Sequence, residues 1–137
     1  MALTHLVDTS VLTRIAEQSV RSALEPLASA GHLGRSGISD LEIGYSARNA
    51  REWDALQEAL SAFGLVELEA RHLKRARQVQ RILAGRSQRG RKVPDLLIAA
   101  TAEDAGLVVL HYDSDFDRIA AVTGQSCEWV VVPGSIA

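Results

Sequence analysis

Between Val93 and Phe116 the chain sets a helix whose first turns are apolar on all sides beside a strand without polar alternation. Pro94 suits the first turn of that helix, and Leu96, Leu97, Ile98, Ala99 and Ala100 leave it no polar face, so it has to be buried. Leu107-Val-Val-Leu110 then runs as a continuous apolar strand, the pattern of a strand covered on both faces of a parallel sheet. An acid stands in the first turn of the helix, Asp95, and an acidic cluster, Asp113-Ser-Asp115, stands where the strand ends. Carboxylates are thereby delivered to one edge of a sheet.

The rest of the chain repeats the alternation. Leu3-Thr-His-Leu-Val7 predicts a strand ending at Asp8, followed by a helix from about Ser10 to Gln18 with Val11, Leu12 and Ile15 on one face. A second helix is expected over about Val20 to Ala30, stopped at Gly31. A weaker strand signal covers His32 to Ile38, and Ser39-Asp-Leu-Glu42 opens a helix that would bury Ile43, Ala47 and Tyr45. Trp53, Leu56, Leu60 and Phe63 recur at helical spacing up to Gly64, and Leu65 to Leu68 forms a third strand. From Arg71 to Ala84 one arc carries His72, Ala76, Val79, Ile82 and Leu83, and the other carries Arg71, Lys74, Arg75, Arg77 and Arg81. A basic loop over Gly85 to Lys92, a helix from about Ser114 to Val122 and a last strand over Glu128 to Val132 complete the chain. Strands alternating with helices imply an α/β fold with a parallel sheet covered on both faces.

At 137 residues one domain is expected over 1–137. The apolar fraction of 47% excludes disorder, and the 4% of aromatics argues against base stacking as the main grip on nucleic acid. The single cysteine, Cys127, forms no internal disulfide and fits a reducing cytoplasm. No signal peptide or membrane span is expected. Charge is sorted along the chain. Nine basic residues and no acid lie between Arg71 and Lys92; taking those nine from the net charge of -2 leaves -11 elsewhere. Such sorting fits a positive face for a polyanion, and it also fits a merely solvated helix face.

Asp8 and Asp113 both follow strands, at the edge where parallel sheets place ligands. Singly, each acid has a simpler explanation: Asp8 caps a helix, Asp113 forms an Asx-turn, Glu42 closes a capping box with Ser39, and Asp95 complements a helix dipole. Jointly they do not. Two carboxylates about 4 Å apart repel by roughly 4 kcal/mol at an effective dielectric near 20, so a converging set takes up protons or a cation. Oxygen donors without His or Cys partners favour Mg²⁺ over Zn²⁺, and His5, His32, His72 and His111 lack ligand spacing. Bound there, one ion or two supply the chemistry of phosphodiester hydrolysis. Thr9 and Ser10 offer hydroxyls to a phosphate or to a cap. Asp104 and Asp117 are expected to be solvent-facing helix charges.

Four segments together resemble a PIN-domain ribonuclease, specifically the VapC-type toxin of a type II toxin–antitoxin pair. They are Val7-Asp-Thr-Ser-Val-Leu12, Ile38-Ser39 with Glu42-Ile-Gly-Tyr45, Val93-Pro-Asp-Leu-Leu-Ile-Ala-Ala-Thr-Ala102, and Val109-Leu-His-Tyr-Asp-Ser-Asp-Phe116. The resemblance covers almost the whole chain. It implies a PIN-like fold with a five-stranded parallel sheet, and an endoribonuclease dependent on Mg²⁺ or Mn²⁺ that inhibits translation. It further implies transfer RNA or ribosomal RNA as substrate, a VapB-type antitoxin, and a homodimer that can enter a larger toxin–antitoxin assembly. Carried over by motif, Asp8 and Asp95 are metal ligands, Glu42 completes the acidic site, and the fourth acid is Asp113 or Asp115; His111-Tyr112 departs from the family pattern just before them. Arg86, Arg89, Arg91 and Lys92 lead into Asp95 and are candidate phosphate contacts.

Three rival readings are open to test. A haloacid-dehalogenase-like phosphatase needs a second Asp two residues after the first, and Ser10 stands there. A receiver domain needs an Asp after a middle strand, and Glu69-Ala70 stands there instead. A catalytically degenerate PIN-like binding module is disfavoured because every acidic position is filled.

Overall fold

The computed structural model describes residues 2–88 and 92–137. Strand β1 (His5–Val7) lies at the centre of the sheet and leads into a short helix α1 (Thr9–Leu12) and then α2 (Gln18–Ser29). Strand β2 (Leu33–Ser36), helices α3 (Gly37–Gly44) and α4 (Ala50–Leu60), and strand β3 (Gly64–Val66) follow. The second half holds α5 (Ala70–Gly85), α6 (Val93–Ala105), β4 (Val108–His111), α7 (Asp115–Thr123) and β5 (Cys127–Trp129). All four pairings are parallel, in the order β3-β2-β1-β4-β5. The sheet expected from the alternation, and its five strands, are therefore present.

Side-chain alternation divides the core into two layers. Leu6 and Val109 face one side, with Ala76, Val79 and Leu83 of α5, Leu96 and Ile98 of α6, and Phe116 and Ile119 of α7. Val7 and Leu110, one residue on, face the other side, with Val11, Leu12, Val20, Leu24, Leu33 and Leu60. The central strands have no solvent face, which is why their sequences show no polar alternation. Helix α6 is buried as expected, with Pro94 in its first turn and Gly106 closing it at φ 68°, in the left-handed region that glycine enters freely. Among the described residues no helix is long and apolar enough to cross a membrane.

Several local expectations are corrected. The helix expected over Ser10 to Gln18 ends at Leu12, and a new helix begins at Gln18. Helix α3 is capped by Ser36, whose hydroxyl accepts the Ile38 amide, so Ser39 and Glu42 form no capping box. Tyr45 is 93% exposed rather than buried. Ile82 is partly exposed at the edge of the apolar arc of α5. Phe63 lies beyond α4, and Gly64 opens β3 instead of ending a helix. Asp104 is no free surface charge: its carboxylate accepts from Arg71 and pairs with the buried His72. Asp117 accepts the indole N–H of Trp129.

Candidate active site

The strand order reverses at β1, which has β2 on one side and β4 on the other. Parallel α/β sheets bind ligands beyond the carboxyl ends of their strands at such a reversal. Asp8 directly follows β1, and Asp113 lies two residues after β4. The pairing is pinned there by the Asp8 amide donating to the Leu110 carbonyl at 2.9 Å. Here a cleft of about 230 Å³ is lined by Asp8, Thr9, Ser10, Thr13, Arg14, Glu42, Lys92, Asp95, Tyr112 and Asp113. Sequence positions 8, 42, 95 and 113 thus meet in one place.

Asp8 is 3% exposed and caps α1 with one oxygen only. Its Oδ2 accepts the Ser10 amide at 3.0 Å and the Ser10 hydroxyl at 2.6 Å. Its Oδ1 is buried without a hydrogen-bond partner. Ser10 Oγ in turn accepts the Tyr112 amide at 2.9 Å, so one hydroxyl ties the end of β1 to the end of β4. Burial raises the Asp8 pKa above the ordinary carboxylate range, Ser10 opposes this, and Glu42 adds to it.

Asp95 is 5% exposed, in the first turn of α6, and its Oδ2 also lacks a hydrogen-bond partner. The Lys92 ammonium stands 3.9 Å from it, beyond hydrogen-bond range. Burial and then the neighbouring Asp8 push the Asp95 pKa up to about 8, against the pull of Lys92. One oxygen from each of Asp95, Asp113 and Asp115 lies within 4.8 Å of the others. Asp113 makes the expected Asx-turn, its Oδ1 accepting the Asp115 amide at 2.9 Å. Its Oδ2 accepts from Lys92 at 2.6 Å. Burial alone would raise Asp113, but Lys92 and the Asp115 amide outweigh it and hold its pKa low. Both Asp113 and Asp115 therefore stand at the cluster, Asp113 on the cleft wall and Asp115 beside it.

Glu42 is exposed at the cleft, its Oε1 accepting the Thr9 hydroxyl at 2.7 Å. The same hydroxyl sits 2.8 Å from Ser39 Oγ, which is how α1 and α3 are joined. Arg86 is the exposed C-cap of α5 and does not line the cleft. Arg89 and Arg91 lie outside the described residues. His111 is fully buried against Phe116 and Trp129, its ring centroid 5.0 Å from each. Burial lowers its pKa, and its Nδ1 accepts the Asp113 amide, so it is a neutral prop for the turn that carries Asp113.

Three cleft residues, Thr13, Arg14 and Tyr112, escaped the sequence reading. Arg14 donates to the Ser10 carbonyl at 2.7 Å and lies 4.9 Å over the Tyr112 ring. Tyr112 receives the Gly134 amide at 2.9 Å and donates to the Ile136 carbonyl at 2.8 Å, fastening the C-terminal segment beside the cleft. Their signal was position alone: Arg14 lies one helical turn beyond Ser10, and Tyr112 sits between β4 and Asp113.

These residues fit a divalent cation. Two buried carboxylate oxygens lack partners, one carboxyl is forced toward protonation, and the only donors are oxygens. An oxygen-only set suits a hard ion.

The PIN domain family matches residues 5–122. Ribonuclease VapC51 of Mycobacterium tuberculosis strain H37Rv is 62% identical over 136 residues, covering 99% of each chain. Ribonuclease VapC21 of the same organism is 43% identical over 137 residues, covering 98% of this chain and 99% of its own. Among solved structures, DNA-bound VapBC from Salmonella typhimurium aligns with a TM-score of 0.79 at 20% identity, covering 94% of this chain and 99% of that one. VapBC-1 from nontypeable Haemophilus influenzae aligns at 0.75 and 14% identity, covering 95% and 98%. The structural likenesses establish the fold, and the full-length sequence identities go further: the chain belongs to the PIN-domain family, among its VapC members.

Proposed function

We propose that this chain, as a single domain over 1–137, is a Mg²⁺-dependent endoribonuclease toxin, with Mn²⁺ able to substitute. One observation carries the reading: Asp8 and Asp95, each with a buried oxygen that has no hydrogen-bond partner, line a cleft that also gathers Asp113 and Glu42. Asp8, Asp95 and Asp113 would hold the ion, with Asp115 in support and Glu42 at the exposed side. When bound, the ion supplies a Lewis acid for phosphodiester hydrolysis. The remaining work falls to the chain's own groups. Ser10 holds one Asp8 oxygen and leaves the other without a hydrogen-bond partner. Glu42, exposed and held by Thr9, is placed to accept a proton from an attacking water. Lys92 and Arg14 offer positive charge to phosphates on either side of the scissile bond.

The names of the relatives support ribonuclease activity, and the VapBC titles of the fold neighbours support an antitoxin of the VapB type as partner. Transfer RNA is the favoured substrate, ribosomal RNA the second, with arrest of translation in the cytoplasm as the consequence and a homodimer as the working form. The decisive test incubates total RNA and Mg²⁺ with wild-type protein or Asp8→Asn. Cleavage by wild type alone is expected. Equal cleavage by both, or none by either, overturns the proposal. Cleavage by wild type that persists in excess EDTA overturns the metal dependence alone.

A further inference from the structure

The basic residues between Arg71 and Lys92 do not share one task. Arg71 donates to Asp104 at 2.8 Å and pairs with Glu69 at 2.5 Å. Arg75 grips both oxygens of Glu103, at 2.7 and 3.1 Å. These contacts fasten the first turns of α5 to the last turn of α6. They also fix direction: the helices run antiparallel, so the C-terminal end of α5 lies at the N-terminal end of α6, where Asp95 stands. Lys92 belongs to the acidic site.

Lys74, Arg77 and Arg81 remain. All three are exposed, and none has a hydrogen bond or ion pair among the described residues. At 3.6 residues per turn their spacing places them within an arc of about 60°, one row along the outer face of α5. Nothing relieves their mutual repulsion, because like charges three and four residues apart oppose helix formation and positions 71–92 hold no acid. Arg71 and Arg75, at the flank of the same basic arc, do pair with acids, whereas the row does not. From Lys74 to Arg81 the row extends about 10 Å, at 1.5 Å per residue, and its C-terminal end is the one nearer the acidic cleft. A nucleic-acid strand advances roughly 3.4 Å per nucleotide, so the row matches about three phosphates.

We infer that Lys74, Arg77 and Arg81 form a phosphate-binding track for the backbone of a structured RNA, extending substrate contact along α5 beyond the nucleotides in the cleft. This rests on the ribonuclease reading. The track reads charge and not sequence, as backbone contacts do. It selects for RNA long and rigid enough to reach from the cleft along the helix. At about 0.1 M salt, charges act over about 10 Å, so a short oligonucleotide seated in the cleft does not sense the far end of the row.

The test uses full-length protein carrying Asp8→Asn, so that bound RNA stays intact. Two probes are compared by fluorescence anisotropy across a salt titration: bulk transfer RNA and a single-stranded RNA of four nucleotides, about 14 Å long at roughly 3.4 Å per nucleotide. Lys74→Gln/Arg77→Gln/Arg81→Gln, which keeps good helix formers on an exposed face, is expected to bind transfer RNA at least about tenfold more weakly near 0.1 M salt. Its salt slope should fall by about 2 to 3, at roughly 0.7–0.9 per lost phosphate contact, and its affinity for the tetramer should change less than about twofold. The charge-preserving Lys74→Arg/Arg77→Lys/Arg81→Lys should match the parent. Equal transfer RNA affinity in the Gln variant overturns the track while leaving the ribonuclease reading intact. Unchanged RNA binding with lost retention on polyglutamate assigns the row to an acidic protein segment and overturns it too. Failure of the otherwise wild-type chain to cleave or bind any RNA overturns both proposals.

Discussion

Asn at position 95 should make the metal-free protein more stable, although it removes a residue placed at the heart of the site. In the folded chain Asp95 ionises only near pH 8, because burial and the neighbouring Asp8 disfavour its charge. In the unfolded chain it ionises near 3.8. A carboxyl with a raised folded pKa contributes stability below its unfolded value and loses it as pH rises toward the folded one. At pH 7 the span from 3.8 upward, at about 1.4 kcal/mol per pH unit, comes to roughly 4 kcal/mol of destabilisation. Asn keeps the size and cannot ionise, but it buries an amide with incomplete hydrogen bonding, at about 1–3 kcal/mol. The net gain expected of Asp95→Asn is therefore about 1–3 kcal/mol at pH 7. The assay is urea unfolding in EDTA at pH 4.5, 7 and 8. The gain should be absent or reversed at pH 4.5 and largest at pH 8. Adding Mg²⁺ should then raise wild type alone, because an ion that binds only the folded state stabilises it by mass action. A difference that stays flat across pH, or a less stable Asn variant at pH 8 in EDTA, would refute the reasoning.

Two further substitutions probe the supports of the site. Ser10→Ala removes a charge-assisted hydrogen bond to Asp8 and leaves the Tyr112 amide without its acceptor, so it should lower unfolding free energy by about 2 kcal/mol. Urea curves within about 0.5 kcal/mol of wild type would show that Ser10 does not join the two strand ends. Lys92→Met removes the ammonium held 2.6 Å from Asp113. The exposed ion pair itself is worth less than about 1 kcal/mol, but Mn²⁺ measured by calorimetry should bind several-fold more tightly once the competing positive charge is gone. Unchanged or weaker Mn²⁺ binding would show that Lys92 does not stand in for the ion.

The sheet and its buried helix were legible because their signals are collective. Leu107 to Leu110 and Leu96 to Ala102 repeat one message over many residues, and tertiary packing had only to agree. The corrections fall where one contact decides. Ser36 and Ser39 are both good caps three residues apart; only β2 pairing to Ser36 settled which begins α3. Tyr45 sits at a helical position that suits an inward side chain, yet Gly44 beside it approaches Trp53 so closely that an added Cβ would lie 2.6 Å from Nε1. That fit turns the α3–α4 seam on Gly44 and leaves Tyr45 outside. Of the site, Asp8, Asp95 and Asp113 were legible from their places after strands and at a helix start, whereas Glu42 was placed at a helix start and stands in the last turn of α3. Arg14, Tyr112 and the pairing of Lys92 with Asp113 were not, because nothing local distinguishes them and the fold alone brings them in.

Each acid had seemed to require a choice between capping a helix and serving the site. The two oxygens of a carboxylate remove the conflict. Asp8 spends Oδ2 on the Ser10 amide and hydroxyl, and its Oδ1 is left buried and unpartnered. Asp113 gives Oδ1 to the Asp115 amide, and its Oδ2 turns to the positive charge of Lys92. In both, the bond to a backbone amide two residues on is what orients the second oxygen, since a carboxylate held at one end has little freedom at the other. The turn chemistry that makes these residues look ordinary is thus the device that preorganises them. A site built this way needs little rearrangement to receive a cation, and its acids cannot be separated into structural and functional ones by mutation. Replacing Asp8 or Asp113 removes turn contact and ligand together, whereas Asp95, whose Oδ2 is orphaned and which does not cap its helix, should separate them.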